Sequence, residues 1–438
     1  MLFRKIEKQI KDFLTSPSNK ILLVTGARQI GKTFIIRQIG KNLFENFIEL
    51  NMAEDAIGPR LFSNVRTVQD FYIQTSIIAG AKMKEKSNTL VFIDEIQEYP
   101  ELLTLLKFLK QDDKFTYIAS GSALGIALKN TTSIPIGTIE NLNMFPLDFE
   151  EFLIANGFST IAIDALQSKF QSRETLDENV HNKIMDLFKK YLLVGGLPDA
   201  VNSFLANSNI VKLRKIQNDI HRFYSADASK YDEINKLKIR RIYEMIPSTL
   251  ENKKKRIVAK NIENKTGKRF SDYQDEFEYL INSGIALEVH AISNPAFPLI
   301  ESSQKNLLKL YLNDVGILTN ILYKHNANAI LADESSINLG SVYESVVASE
   351  LKAHGHSLFY YDNRSKGEVD FLIDNYDTLS VLPLEIKSGK NYTVHSSLNN
   401  FTKNDDYKIK SAIVFSNERT IKHVGKIVYL PIYFVMFL

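Results

Sequence analysis

Residues 26–33 read GARQIGKT and satisfy the pattern G-x-x-x-x-G-K-[ST]. Gly26 and Gly31 let the backbone curl until its N–H groups point inward, where they can surround phosphate oxygens. Lys32 then supplies a positive charge for β and γ phosphates, and the Thr33 hydroxyl supplies an oxygen of the kind Mg²⁺ prefers. Arg28 lies within the same loop and counts with it as a nucleotide contact. The chemistry implied is capture of ATP with Mg²⁺.

A second run, TLVFIDEIQEYP over 89–100, ends an apolar stretch in Asp94 and Glu95. An acidic pair at the end of a buried strand suits an ATPase: Asp94 holds Mg²⁺ directly or from behind, and Glu95 orients the attacking water. A third run, FTYIASGSALG over 115–125, ends in small polar residues, with Ser120 the candidate γ-phosphate sensor. Its Gly-Ser-Ala-Leu-Gly does not fit G-x-S-x-G, which argues against a serine hydrolase.

The C-terminal third holds a separate constellation. GEVDFLI places Asp370 on one strand, and LPLEIKSG places Glu385 and Lys387 on the next. Residues two apart in a strand face the same side, and strand pairing can bring Asp370 to them. This is a D…E-x-K arrangement: Asp370 and Glu385, with Glu344 from a preceding helix, would bind Mg²⁺, and Lys387 would position water. His354 and His356 lack a third ligand at suitable spacing and are assigned no role.

These residues need particular elements around them. From 21 to about 125, β-rich runs (ILLVT, NFIEL, LVFID, FTYIAS) alternate with helical spacing, which implies a parallel sheet flanked by helices. The middle is mostly helical and contains a basic cluster, Lys253, Lys254, Lys255, Arg256, Lys265, Lys268 and Arg269, before a helix and a strand-like IALEVHAI. That order suggests a winged helix, whose cations would meet nucleic-acid phosphates. The last third mixes helices with SLFYY, EVDFLI, LPLEIK and SAIVFS. The fold class expected is α/β, with an ATPase domain over 1–205, a winged-helix-like region over 206–300 and a nuclease-like α/β domain over 301–438.

Composition limits the alternatives. A chain of 438 residues exceeds what one core usually serves, and zero cysteines exclude disulfides, thiolate zinc sites and Cys nucleophiles, which suits a cytoplasmic protein. A net charge of +3 does not by itself advertise a polyanion partner. The amphipathic N-terminus reads as a surface helix, and the C-terminal IVYLPIYFVMFL is too short to span a bilayer.

GARQIGKT, FIDEIQEYPELL, ASGSALG, FPLDFEEFL and YLLVGGLPDAV, in that order, resemble a prokaryotic AAA+-like ATPase family. In that family the ATPase precedes a C-terminal domain of unknown function similar to PD-(D/E)XK nucleases. The resemblance implies ATP and Mg²⁺ as cofactors, a nuclease-like site at Glu344, Asp370, Glu385 and Lys387, and in some relatives ring assembly. Relatives carry Arg or Lys where this chain has Thr138, which points to slow turnover. Arg28, Arg214 and Arg222 are the candidate arginine fingers. Two functions follow: an ATPase that controls a nuclease-like domain acting on DNA or RNA, or a nucleotide-dependent switch that binds a protein or nucleic-acid partner without cleaving it.

Overall fold

The computed structural model describes residues 2–438 apart from 123–136, 228–235, 253, 303, 325, 333–336, 338, 364 and 390–391. Lys253 of the basic cluster and the 123–125 end of ASGSALG lie outside the described residues. The chain divides into two compact units, Arg4–Phe145 with Glu278–Ile285, and Pro146–Phe277 with Ala286–Leu438 and the first residues of the chain.

The first unit is a parallel sheet of β1 (Ile21–Thr25), β2 (Asn46–Asn51), β3 (Thr89–Asp94), β4 (Thr116–Gly121) and β5 (Ile139–Asn143), in the order β2-β3-β4-β1-β5. All four expected strands are present, and β5 is a fifth. The interior strand β3 is buried along its whole length, as its unbroken apolar run requires, whereas edge strand β2 alternates buried and half-buried positions. Helix α1 (Ile6–Thr15) buries Ile6 and Ile10 and leaves Lys8 and Asp12 at the surface, the amphipathic pattern read from sequence. Helices α2 (Lys32–Leu43), α3 (Met52–Ile57), α4 (Val68–Ala79) and α5 (Glu101–Asp112) complete the layers, α4 starting from a reciprocal Thr67–Asp70 capping box. Ile48, Phe71, Val91, Ile93, Leu103 and Leu106 lie in its core.

The strand order determines where a ligand can sit. β1, β3 and β4 all end on one edge of the sheet, where loops diverge to either side, so the carboxyl ends of neighbouring strands face one crevice.

The second unit begins with helices α6 (Phe149–Ala155), α7 (Thr160–Ser172), α8 (Glu178–Val194), α9 (Pro198–Asn207) and α10 (Ile210–Asp227). The FPLDFEEFL run has a local cause for its shape: Asp148 caps α6 and Glu151 reaches back to it. Helices α11 (Lys236–Leu250), α12 (Ala259–Glu263) and α13 (Gln274–Asn282) follow, with α13 crossing from one group of residues to the other.

An eight-stranded mixed sheet completes this unit, in the order β12-β13-β11-β10-β9-β8-β6-β7. Its strands are β6 (Ala286–Ile292), β7 (Gln304–Leu312), β8 (Phe359–Asn363), β9 (Gly367–Asn375), β10 (Ser380–Ile386), β11 (Ala412–Ser416), β12 (Lys422–Val424) and β13 (Ile427–Pro431). Helices α14 (Val315–Tyr323), α15 (Ala327–Leu331), α16 (Gly340–Ala353) and α17 (Ser396–Thr402) lie between them in sequence. The IALEVHAI run, read from sequence with the helical middle, is β6. It pairs with β7 on one side and runs parallel to β8 on the other, so it is an interior strand of the C-terminal sheet.

The joint between the early helices of this unit and its later part is polar and buried. Gly196 N donates to Asp314 Oδ2 at 2.7 Å and Phe149 N to Glu350 Oε1 at 2.8 Å, while within the early segment the Tyr191 hydroxyl donates to Leu147 O at 2.6 Å. Gly195 has φ +73°, and a Cβ there would come 2.3 Å from Asp314 Oδ1, so only glycine fits. The GGLP motif is thus a close-packed joint.

Candidate functional site

β1 ends at Thr25 and the chain turns through Gly26–Thr33 into α2, whose first residue is Lys32. Gly26 has φ +139°, and a Cβ there would lie 2.2 Å from Met144 O; Gly31 has φ +96° and caps α2. Both are conformations that L side chains rarely adopt. The loop is braced by Arg4, which was not singled out in the sequence: its guanidinium donates to Ile30 O at 3.1 Å and to Phe145 O at 2.6 Å. Lys32 is buried and folds over the loop, donating to Gly26 O at 3.0 Å and Ala27 O at 2.7 Å.

The other residues of the sequence motifs meet this loop. Thr33 Oγ1 donates to Asp94 Oδ2 at 2.8 Å, and Ser120 Oγ donates to Asp94 Oδ1. Asp94 is 2% exposed, and burial pushes its carboxyl above the ordinary range, with the two hydroxyl donors and Lys32 opposing and Glu95 adding to the rise. A desolvated carboxylate beside a threonine hydroxyl, at the mouth of a curled glycine loop, is an oxygen donor set that fits Mg²⁺.

Glu95 follows with φ +53°, an uncommon conformation for a side chain of its size. Gln97 Nε2 donates to its Oε2, and Arg28 lies 3.9 Å from the same oxygen. Arg28 also donates to Glu98 Oε1 at 3.3 Å and to Ser122 Oγ at 3.2 Å. Gln97 and Ser122 were not singled out from sequence, although Gln97 sits inside the DEIQ run.

The other two arginines do not join this group. Arg214 is fully buried and bonds to Leu193 O, Gln217 Oε1, Gly316 O and Thr319 Oγ1, and burial lowers its pKa to about 10. A sequestered guanidinium cannot reach a nucleotide of another subunit, so Arg214 is a structural residue. Arg222 is exposed on α10. Thr138 O accepts from Ile21 N at 2.7 Å, at the amino end of β1. Five residues of β1 at about 3.3 Å each place it roughly 16 Å from the loop at the strand's other end. A basic residue there would not meet a phosphate bound to the same chain's loop.

The C-terminal constellation assembles in the second unit. The antiparallel register sets Leu384 opposite Phe371 and so carries Asp370 alongside Glu385. Ile386 N donates to Asp370 Oδ2 at 2.8 Å, and Lys387 Nζ donates to Glu385 Oε1 at 2.7 Å. Burial, followed by Glu385 and Glu344, raises the Asp370 carboxyl well above the usual range; burial also raises Glu385, whose Oε2 is enclosed with no hydrogen-bond partner. Burial disfavours the charged form of Lys387, but Glu385 outweighs it and leaves the ammonium raised.

Glu344 is engaged elsewhere. Its Oε1 accepts from Lys255 and its Oε2 from the Tyr311 hydroxyl at 3.0 Å. Lys309, fully buried, pairs with Glu368 and lies 4.3 Å from the Tyr360 ring centroid. Among the described residues no group of three His, Asp or Glu side chains stands ready to hold a metal. The orphan oxygen of Glu385 beside Asp370 fits a cation held by that pair, and Glu344, whose charge is felt by both carboxyls, has its own oxygens bonded to Lys255 and Tyr311.

Several of these residues line a cleft of about 1260 Å³, among them Lys254, Arg256, Asp362, Glu368 and Asp370. Two residues of the basic cluster are engaged by carboxylates of this unit: Lys255 pairs with Glu344, and Arg256 with Asp362 at 2.8 Å. Lys265 and Lys268 lie 3.5 and 4.0 Å from Glu263. His354 Nδ1 meets Leu438 O at 3.0 Å and its Nε2 lies 3.5 Å from Asp148, a structural setting. Among the described residues no helix is long and apolar enough to cross a membrane.

Comparison with known proteins agrees with the first unit's geometry. Residues 18–153 match the AAA domain family, so this segment is an AAA-type ATPase domain on a P-loop sheet. Residues 185–328 and 339–435 match two domains of unknown function, DUF8612 and DUF4143. No curated protein matches the chain. Among solved structures, a Walker-type ATPase of Pyrococcus abyssi aligns over 73% of this chain and 95% of its own, at 14% identity and TM-score 0.43. The RuvB Holliday junction branch migration motor of Thermotoga maritima aligns over 65% of this chain and 89% of its own, at 14% identity and TM-score 0.31.

Proposed function

We propose that this protein binds Mg²⁺–ATP at the Gly26–Thr33 loop, hydrolyses it, and uses the nucleotide state to control a nuclease-like C-terminal domain that engages nucleic acid. The observation that carries the ATPase part is the bond from Thr33 Oγ1 to Asp94 Oδ2, which joins the two motifs in one buried oxygen site. Thr33 and Asp94 would hold Mg²⁺, which when bound offsets phosphate charge. The loop amides and Lys32 would hold the phosphates, Ser120 would keep Asp94 oriented, and Glu95 would orient water and accept its proton. Phosphate release by purified protein tests this: the expected result is loss of Mg²⁺-dependent turnover in Lys32→Ala, and equal rates in mutant and wild type would refute it.

The order α16-β8-β9-β10-α17-β11, with Asp370 on the second strand and Glu385-x-Lys387 at the third, supports the nuclease-like reading of residues 301–438. In it Asp370 and Glu385 hold the metal and Lys387 holds water. Helices α11 to α13 supply the helical part of a winged-helix-like region over 206–300, while the strand read with it, β6, pairs within the C-terminal sheet. The second function, binding of a protein or nucleic-acid partner without cleavage, is favoured by one observation: Lys255 and Tyr311 already occupy both oxygens of Glu344. Supercoiled plasmid with Mg²⁺ separates the two. Nicking by wild type but not Glu385→Ala supports cleavage; intact plasmid with and without ATP supports a binding role.

A further inference from the structure

We infer that Gln97, with Ser122 and Arg28, is a positioning device for the Glu95 carboxylate. The inference rests on the reading of Glu95 as the water-orienting group and extends it to the side chains that hold Glu95.

The orientation of Gln97 is determined by its surroundings. Ser122 N, a donor only, lies 3.2 Å from Gln97 Oε1, which identifies that atom as the carbonyl oxygen. The amide nitrogen must then face the other way, where it donates to Glu95 Oε2 and, at 3.4 Å, to Ser122 Oγ. Gln97 and Ser122 are 4% and 2% exposed, so water does not compete for these bonds.

Ser122 Oγ is shared with Arg28, whose Nε donates to it at 3.2 Å. Arg28 belongs to the phosphate loop, yet its guanidinium turns away to lie between Glu98 and Glu95, at 3.3 and 3.9 Å. The chain Arg28–Ser122–Gln97–Glu95 therefore runs from the phosphate loop, through the end of β4, to the carboxylate after β3. It also accounts for the left-handed backbone at Glu95, which the surroundings must hold in place.

The test is a double-mutant cycle on the full chain, reading kcat by phosphate release and affinity with a fluorescent ATP analogue. Gln97→Met keeps the length and removes the amide. The expected result is a roughly 30-fold fall in kcat, the scale of a misplaced catalytic group, with affinity little changed and the melting temperature lowered only by the loss of the acceptor for Ser122 N. In Glu95→Gln/Gln97→Met turnover should be no slower than in Glu95→Gln alone, because Gln97 acts through Glu95. Unchanged kcat in Gln97→Met, or losses that multiply in the double variant, would overturn the inference. Wild-type turnover in Glu95→Gln would instead refute the role of Glu95 itself. If Gln97→Met does not fold, Ser122→Ala enters the same cycle under the same criteria.

Discussion

Thr33 and Asp94, 61 residues apart in sequence, are joined by a 2.8 Å hydrogen bond from hydroxyl to carboxylate. The bond needs β1 and β3 to end at the same edge of one sheet, with β4 between them supplying Ser120 to the other carboxylate oxygen. Asp94 is thereby ready for a cation but poorly solvated as an anion.

That conflict gives a prediction for Asp94→Asn. Burial raises the Asp94 pKa, so its contribution to stability is present at low pH and lost as pH rises through the folded value. At neutral pH the neutral amide should raise the melting temperature of nucleotide-free protein. The same variant should lose the upward shift that Mg²⁺–ATP gives to wild type. Thermal melts with and without ligand check both effects.

Asp314 gives a second pH effect, in the other unit. Its buried carboxyl accepts from Gly196 N and Ile317 N, yet burial outweighs them and raises its pKa to about 6. Its stabilising contribution is full below about pH 4 and fades as pH rises through about 6, a change of roughly 3 kcal/mol. Denaturant melts of wild type and Asp314→Asn should show a stability difference that varies over this window and is flat above it.

Gly195→Ala should be strongly destabilising. The new methyl meets Asp314 at 2.3 Å with φ at +73°, so steric clash and backbone strain coincide. A loss of roughly 3 kcal/mol in urea melts is expected. The same change at Gly157, with open space around its Cβ, should cost only about 1 kcal/mol from its positive φ.

The Lys255–Glu344 pair should show strong coupling. Both side chains are largely buried, so Lys255→Met leaves Glu344 with Tyr311 alone and should cost roughly 3–5 kcal/mol. Lys255→Met/Glu344→Gln should recover most of that loss. A double variant as unstable as the single one would show that the packing of the lysine stem matters more than its charge.

The first unit was legible because its chemistry is local. GARQIGKT and FIDE carry their roles in contiguous residues, and the strands that present them are short apolar runs. Gln97 and Ser122 escaped notice because their roles depend on a contact between the end of β3 and the end of β4, which no spacing rule encodes. Arg214 misled for a similar reason: a lone arginine in a helix reads as exposed, and only the fold reveals the carbonyls of Leu193 and Gly316 around it. Asp370, Glu385 and Lys387 came together as strand periodicity required. Glu344 was drawn to Lys255, nearly ninety residues earlier in the chain. The apolar pattern of β6 marked a strand but not its neighbours.

The Gly195–Asp314 joint also limits how the chain can be dissected or recombined. A fragment ending near residue 205 would carry Gly196 away from its acceptor and Phe149 away from Glu350, leaving amides of two motif segments without their acceptors in a newly exposed apolar surface. An end near Phe145 avoids breaking these bonds but omits Glu278–Ile285, which belongs to the same compact unit as Arg4–Phe145. A chimera that exchanges the C-terminal sheet between related chains must carry α6 to α10 along with it. Selection on the GGLP run should accordingly track residues such as Asp314 and Glu350, and be independent of the nucleotide chemistry.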